Sequence, residues 1–212
     1  MLILALESSA RTASCALLRD ETLIAEYTQT NGLTHSRTLL PMVEALLKNS
    51  DTAKSELSCI AVAAGPGSFT GVRIGCAAAQ GLAYALGIET RAVSTLAAMA
   101  NYVAFSGGKT PYTAALPYVL SCEMDARRGQ IYNALFKVSA GTVQRLTDDR
   151  VIMSGELEAD LERYAETTIY RTSTHSAVGV ALAALSTEAN DAIPVYLRKP
   201  QAEREYDKRV SG

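Results

Sequence analysis

Ala64-Gly65-Pro66-Gly67-Ser68-Phe69-Thr70-Gly71-Val72-Arg73 is the stretch on which the reading of the fold turns. Upstream of it, Leu57 to Ala64 is an apolar run of strand length, as expected of a strand buried on both faces. Downstream, Thr70 to Leu86 stays apolar for too long to be a strand and ends at Gly87, a common residue at helix C-termini. Gly65-Pro66-Gly67 must therefore turn a buried strand straight into a helix, which points to an α/β protein. Glycine allows positive φ and lets another group approach the backbone closely. Unpaired N–H groups at a helix start attract anions. Two uses of the turn compete. In one, Gly65, Gly67, Ser68, Thr70 and Arg73 face a phosphate; in the other, the segment is only a tight turn with Ser68 or Thr70 as the helix cap. No Lys-Ser or Lys-Thr follows the last glycine, so the segment is not a Walker A loop.

Working outward, Met1 to Leu6, Ala13 to Leu18 and Thr22 to Thr28 predict three strands, the last two joined by a turn at Asp20-Glu21. Glu7-Ser8-Ser9 closes the first strand. Strand ends often line the cleft of an α/β protein, so Glu7 and Ser8 join the candidate phosphate-facing set; a solvated strand end is the alternative. Thr34 to Lys48 predicts a helix, capped by Thr34 or Ser36, with Leu39, Val43 and Leu46 at helical spacing. Pro41 should bend that helix or shift its start. Thr90 to Val93 is a short strand, and Ser94 or Thr95 caps a third helix to about Val103. Phe105 to Tyr112, with Ser106, Gly107, Gly108 and Pro111, is the expected linker. Beyond it, strands are expected at Ala115 to Cys122 and Gln130 to Val138, and helices at Ser154 to Tyr164 and Thr174 to Leu185. The tail Lys199 to Gly212 reads as a solvated end. The order β-β-β-α-β-α-β-α is the pattern of one half of an actin-like ATPase fold, although periodicity alone also fits other mixed α/β sheets. We therefore expect two lobes, residues 1–104 and 105–212.

The chain has 212 residues, 48% of them hydrophobic and 20% charged, enough apolar material for a real core. The formal net charge of -2 argues against a protein that grips nucleic acid by itself. Cys15, Cys59, Cys76 and Cys122 form no C-x-x-C pair and lie in apolar runs, so they read as buried free thiols of a reducing compartment. The opening MLILALESS lacks a basic region, and Gly71 to Ile88 is interrupted by Arg73 and Gln80. No secretory leader and no membrane span are expected, and the location read from this is cytoplasmic. His35 and His175 are the two histidines and do not pair at helical spacing, which leaves no His-based metal site; both read as surface or interface residues. No G-x-S-x-G elbow is present. Asp125-Ala126-Arg127-Arg128-Gly129 is a charged turn, either plain hairpin chemistry or an Arg pair reaching a phosphate or carboxylate.

The helix Thr70–Leu86 carries a single charge, Arg73, and is otherwise apolar on all sides. Such a helix must be covered on all sides. One face can lie on the sheet. Gly71, Gly75, Ala79 and Ala83 form a small-residue stripe of the kind that admits a close helix neighbour. Leu40, Met42 and Leu47 extend the apolar surface of the preceding helix. Together they predict a patch that a partner covers, unless the second lobe folds over it.

These residues bring the chain to a known family. It resembles the bacterial tRNA threonylcarbamoyladenosine biosynthesis proteins of the TsaB (YeaZ) family. The match rests on Leu4-Ala5-Leu6-Glu7-Ser8-Ser9, on His35-Ser36-Arg37 with Leu39-Leu40-Pro41, and on the glycine segment through Gly75. Asp125-Ala126-Arg127-Arg128 and Pro194-Val195-Tyr196-Leu197-Arg198 add two further motifs. Thr167 to Ser176 departs from the family, lacking a glycine-containing segment, so a reduced second lobe is expected. The resemblance implies a two-lobed actin-like fold that no longer acts as an ATPase, needs no cofactor or metal, and pairs with the catalytic paralogue TsaD. TsaD holds metal through an H-x-x-x-H helix; here Thr95 and Met99 stand at the two histidine positions. It implies further that the pair works with the ATPase TsaE, meets tRNA only as a complex, and moves a threonylcarbamoyl group from its adenylate to the adenosine beside the anticodon. The expected interface set is His35, Leu39, Leu40, Met42, Leu47, Gly71, Gly75, Ala79 and Ala83, with a homodimer through the same surface when the chain is alone. The rivals are an active actin-like ATPase or small-molecule kinase, which needs more acids in its cleft; a metallopeptidase, which needs ligands; and a generic dimerisation module.

Overall fold

The first strand, β1 (Leu2–Glu7), is buried along its whole length because both faces of its sheet are covered. Leu2, Leu4 and Leu6 alternate with Ile3 and Ala5, so β1 feeds two separate apolar layers. The structure, a computed structural model, describes residues 1–105, 117–140 and 142–198. β1 pairs antiparallel with β2 (Ala13–Arg19), which pairs antiparallel with β3 (Thr22–Gln29). On its other side β1 pairs parallel with β4 (Cys59–Ala63), and β4 with β5 (Glu89–Val93), giving the order β3-β2-β1-β4-β5.

Two helices, α1 (His35–Asn49) and α2 (Phe69–Leu86), cover the face that carries Leu2, Leu4 and Leu6. Pro41 lies inside α1 and does not shift its start; the residue is exposed, so its missing N–H falls on the solvent side. Thr34 is the N-cap of α1 by position but makes no side-chain cap bond. Gly87 closes α2 in the left-handed conformation at φ 66°.

α3 (Thr95–Phe105) is capped by Ser94, whose Oγ accepts from the Ala97 N–H at 3.1 Å. It lies between the lobes. Ala98 packs into the opposite layer of the first sheet, while Leu96, Met99 and Val103 face the second. The second sheet has the order β10-β6-β7-β8, from β6 (Tyr118–Asp125), β7 (Gln130–Ser139), β8 (Thr142–Arg145) and β10 (Ile169–Thr172), with β9 (Arg150–Met153) paired to β7. β10 runs parallel to β6 and the other pairings are antiparallel, so this sheet is mixed too. α4 (Ser154–Leu161) packs Leu157 and Leu161 on Leu135.

Two lobes with mixed sheets, helices on both faces and helices between them make a mixed α/β architecture, the class that the element order implied. β8, β9 and β10 add to the expected elements. Each has four residues, too few for a period of two to stand out. The expected division at residue 104 separates the two sheets but not the packing. α5 (Ala177–Leu185), which follows the second sheet in sequence, returns to cover Ile3, Ala5, Ala16, Leu18, Ala61 and Ala63 of the first. The expected linker beyond Phe105 and the tail from Lys199 lie outside the described residues.

Candidate functional site

The glycine turn is held from three directions. The Ser68 N–H donates to the Ser9 carbonyl at 2.7 Å, and the Ser8 hydroxyl donates to the Gly71 carbonyl at 2.9 Å. Ser68 Oγ caps α2 by accepting from the Gly71 N–H at 3.3 Å. The third hold is a strap, Ala192 to Arg198, that crosses the turn. Its Val195 N–H donates to the Ala64 carbonyl at 2.7 Å, and the Val195 carbonyl sits where a side chain on Gly65 would be. Gly65 has φ +121°, so glycine is required there twice over. Tyr196 packs on Phe69 with ring centroids 4.8 Å apart. Arg73 donates from Nε to the Tyr196 hydroxyl at 2.7 Å and lies 3.8 Å over the Phe69 ring.

These contacts correct the phosphate-facing set. Gly65 is covered by Val195, Arg73 is taken by Tyr196 and Phe69, and Ser8 is buried on Gly71. Glu7 is buried at 2% exposure and accepts the Ser9 N–H at 2.6 Å. Burial pushes its carboxyl up to about 7, against the opposing effect of the Ser9 hydrogen bonds. A carboxyl so placed is a poor magnesium ligand. Gly67, Ser68 and Thr70 do line a cleft.

That cleft, of about 830 Å³, runs between the glycine turn and the β1–β2 loop on one wall and the β6–β7 turn on the other. In the β6–β7 turn, Arg127 and Arg128 both adopt positive φ, 64° and 59°. Asp125 Oδ1 accepts the Arg127 N–H at 2.6 Å, the hairpin bond the sequence suggested. Arg198, at the end of the strap, donates across to the Ala126 carbonyl and so ties the strap to the second lobe. His175 also lines the cleft; burial lowers its pKa to about 4, and its Nδ1 is buried without a hydrogen-bond partner among the described residues. Sequence reading missed Ser9, Arg11, His175 and Arg198 as cleft residues. They come from three distant segments, and no spacing within any one of them signals the others.

A second candidate is the outer face of α1 and α2. The small-residue stripe is not on it. Gly71, Gly75, Ala79 and Ala83 are all buried against the chain's own sheet; a side chain on Gly71 would strike the Ser8 carbonyl, and one on Gly75 would meet Ser8 Oγ at 2.5 Å. The stripe brings α2 close to β1 and β4, a use of small residues that its spacing alone cannot distinguish from helix pairing. Leu39, Met42 and Leu47 likewise belong to the core of the first lobe. Of the expected interface set, Leu40 is exposed, at 45%, and His35 is half-buried with Nε2–H donating to the Ala10 carbonyl at 2.8 Å. The exposed positions are instead Ser36, Arg37, Leu40, Pro41, Glu44, Lys48 and Asn49 on α1, and Thr70, Arg73, Ala77, Gln80, Gly81, Tyr84 and Ala85 on α2, with Tyr84 91% exposed. From Ile74 to Gly87 this outer face carries no charge.

Thr95 and Met99 are both buried. The four cysteines are free and buried, and burial pushes the Cys15 thiol up to about 12 and Cys76 to about 11. Among the described residues, no group of three or more His, Cys, Asp or Glu is placed to hold a metal ion, and no helix is long and apolar enough to cross a membrane.

Comparison with known proteins places this architecture. The family model "TsaD: tRNA N6-adenosine threonylcarbamoyltransferase" matches residues 24–206. The chain is 41% identical over 154 residues to the tRNA threonylcarbamoyladenosine biosynthesis protein TsaB of Bacillus subtilis, covering 72% of this chain and 62% of that protein. It is 33% identical over 157 residues to TsaB of Escherichia coli, covering 74% and 64%. The chain thus spans a little under two thirds of the length of these two relatives. The crystallised YeaZ from Pseudomonas aeruginosa superposes with a TM-score of 0.73 at 27% identity, covering 92% of this chain and 99% of that one. The chain belongs to the TsaB (YeaZ) family of tRNA threonylcarbamoyladenosine biosynthesis proteins.

Proposed function

We propose that this chain is the non-catalytic subunit that binds and activates TsaD for transfer of a threonylcarbamoyl group from its adenylate to the adenosine beside the anticodon of tRNA. TsaE is the third member of the assembly, tRNA is met through the complex, and the cytoplasm is the place of action. The observation that carries the reading is the outer face of two adjacent helices, α1 and α2, left uncovered by the rest of the chain, with Leu40 and Tyr84 exposed on it and no charge on α2 from Ile74 to Gly87. Burying Leu40 and Tyr84 there would remove apolar area from water at roughly 25 cal/mol per Å². The match to the TsaD family model supports the pairing, since like architectures offer each other like helices. The same face, pairing with itself across a two-fold axis, would give a homodimer when TsaD is absent.

The test is co-purification with TsaD. Leu40→Asp and Tyr84→Asp change exposed residues, so both variants should keep the wild-type circular dichroism spectrum while TsaD binding and modified tRNA fall at least tenfold. Folded variants that bind TsaD at full strength would move the interface elsewhere. Modified tRNA made by this chain without TsaD would overturn the non-catalytic assignment.

A further inference from the structure

We propose that the strap Ala192–Arg198 is a tie through which a partner seated on α2 steadies the second lobe. The inference rests on the reading of α1 and α2 as the partner face, and concerns what binding there does to the rest of the chain.

Two residues of one helical stripe hold the strap. Arg73, Ala77, Gln80 and Tyr84 recur at helical spacing on α2, and all four are exposed. Arg73 donates from Nε to the Tyr196 hydroxyl, and Gln80 donates from Nε2 to the Ala192 carbonyl at 3.2 Å. Ala192 thus sits at Gln80 and Tyr196 at Arg73, so the strap runs back along α2 against the direction of the helix. A surface that covers Ala77, between the two, meets both side chains that hold the strap.

The strap also reaches beyond α2. Just before it, Asn190 is fixed to the edge strand β5: its Oδ1 accepts the Ala92 N–H at 2.8 Å, and its N–H donates to the Thr90 carbonyl at 3.0 Å. Midway, the Val195 N–H is held by the Ala64 carbonyl of the glycine turn. At the far end, Arg198 donates to the Ala126 carbonyl, where the β6–β7 turn begins. Arg127 and Arg128, next in that turn, both hold positive φ. Non-glycine residues keep such a conformation where their surroundings over-determine it, and the Arg198 bond is part of that support.

Little of the strap is packed. Ala192 is fully buried in the layer under α1 and α2, but Ile193, Val195 and Tyr196 are exposed. Its position is set by a few hydrogen bonds rather than by burial of its apolar side chains, and the bond from Arg73 is itself exposed to water. Segments held in this way open locally at a lower cost than the core. A partner on the α2 stripe shields Arg73 and Gln80 and suppresses that opening, so the far end of the strap keeps its hold on the β6–β7 turn. The closed strap is already the resident state, so affinity for the partner depends little on the tie. Amide exchange that proceeds from the open state depends on it strongly.

Hydrogen–deuterium exchange of the full chain, alone and bound to TsaD, tests the tie on peptides covering α1, α2 and residues 124–131. In the wild type, TsaD should slow exchange at least tenfold in the helices and in the turn. Arg198→Gln removes the bond to Ala126, and Tyr196→Phe removes the acceptor for Arg73 while keeping a ring on Phe69. Both variants should melt within about 2 °C of wild type and bind TsaD within about threefold of its affinity. They should protect α1 and α2 as the wild type does and lose most of the slowing at residues 124–131. Should Arg198→Gln melt far below wild type, Tyr196→Phe, which alters one exposed hydroxyl, decides the outcome. Slowing in the helices without slowing in the turn would overturn the tie and leave the partner face standing. Slowing in the turn that survives both substitutions would mean that TsaD touches the second lobe directly, and would also overturn it. TsaD binding that slows neither α1 nor α2 would remove the partner face itself, and the tie with it.

Discussion

Two buried titratable side chains set opposite pH slopes on the stability of this chain. Burial raises the Glu7 carboxyl from an ordinary 4.5 to about 7, so the fold favours its protonated form. The stability this group contributes is complete below about 4.5 and is lost as pH climbs through about 7. Burial lowers the His175 imidazole from 6.5 to about 4, so the fold favours its neutral form, and stability is lost as pH drops from about 6.5 towards 4. Over pH 4.5–6.5 the two effects oppose each other, and the wild-type protein should show a flat profile there. Single substitutions should uncover each slope. Glu7→Gln should leave stability rising with pH across that window. His175→Gln should leave it falling up to pH 7, by on the order of 3 kcal/mol for a fully buried carboxyl at about 1.4 kcal/mol per pH unit. Urea denaturation at half-unit steps checks both signs; a wild-type slope that survives both substitutions would show that other groups control it. None of this could be read from the sequence. Glu7 was visible as an acid at a strand end, but its burial is fixed by packing that only the folded chain supplies. His175 carries no local mark at all.

α2 shows why element positions were legible and element faces were not. A long apolar segment bounded by Ser68 and Gly87 could only be a helix, and its ends were set by side-chain and backbone chemistry local to the sequence. Which side met the sheet was hidden, because Ala77, Gly81 and Ala85 on one side are as small and apolar as Gly75, Ala79 and Ala83 on the other. The deciding contact lies far away in sequence: the Ser8 main chain leaves no room for anything larger than glycine at position 71. Ala79→Arg should therefore unfold the protein, since it drives a charged chain into a site with 0% exposure. Ala77→Arg, two residues away on the exposed side, should leave the melting temperature within about 2 °C of wild type, as surface substitutions usually change stability by under about 0.5 kcal/mol. Thermal melts followed by circular dichroism separate the two. Equal melting temperatures would mean that α2 is rotated about its axis from the orientation described.

For the molecule as a whole, the two lobes are not two independent folding units. One face of the first sheet rests on α5, and the strap from Ala192 to Arg198 closes the glycine turn before crossing to the second lobe. A fragment of residues 1–105 keeps every strand of the first sheet yet lacks the cover for Ile3, Ala5, Leu18 and Ala61. It should be expanded and bind a hydrophobic dye, with far-ultraviolet dichroism but little fixed tertiary signal. Fusing residues 177–198 to it through a flexible linker should restore sharp, dispersed amide resonances. A well-folded 1–105 fragment would show that the sheet needs no second cover.

The same arrangement governs how the protein is made. Synthesis delivers β1 to β5 early and α5 only after the whole second sheet. Until residue 185 clears the ribosomal exit tunnel, the nascent chain carries one finished face on its first sheet and one bare one. That bare face is the period of greatest exposure to chaperones and to aggregation, so slowing translation between residues 105 and 177 should lower the yield of native protein more than slowing it anywhere before.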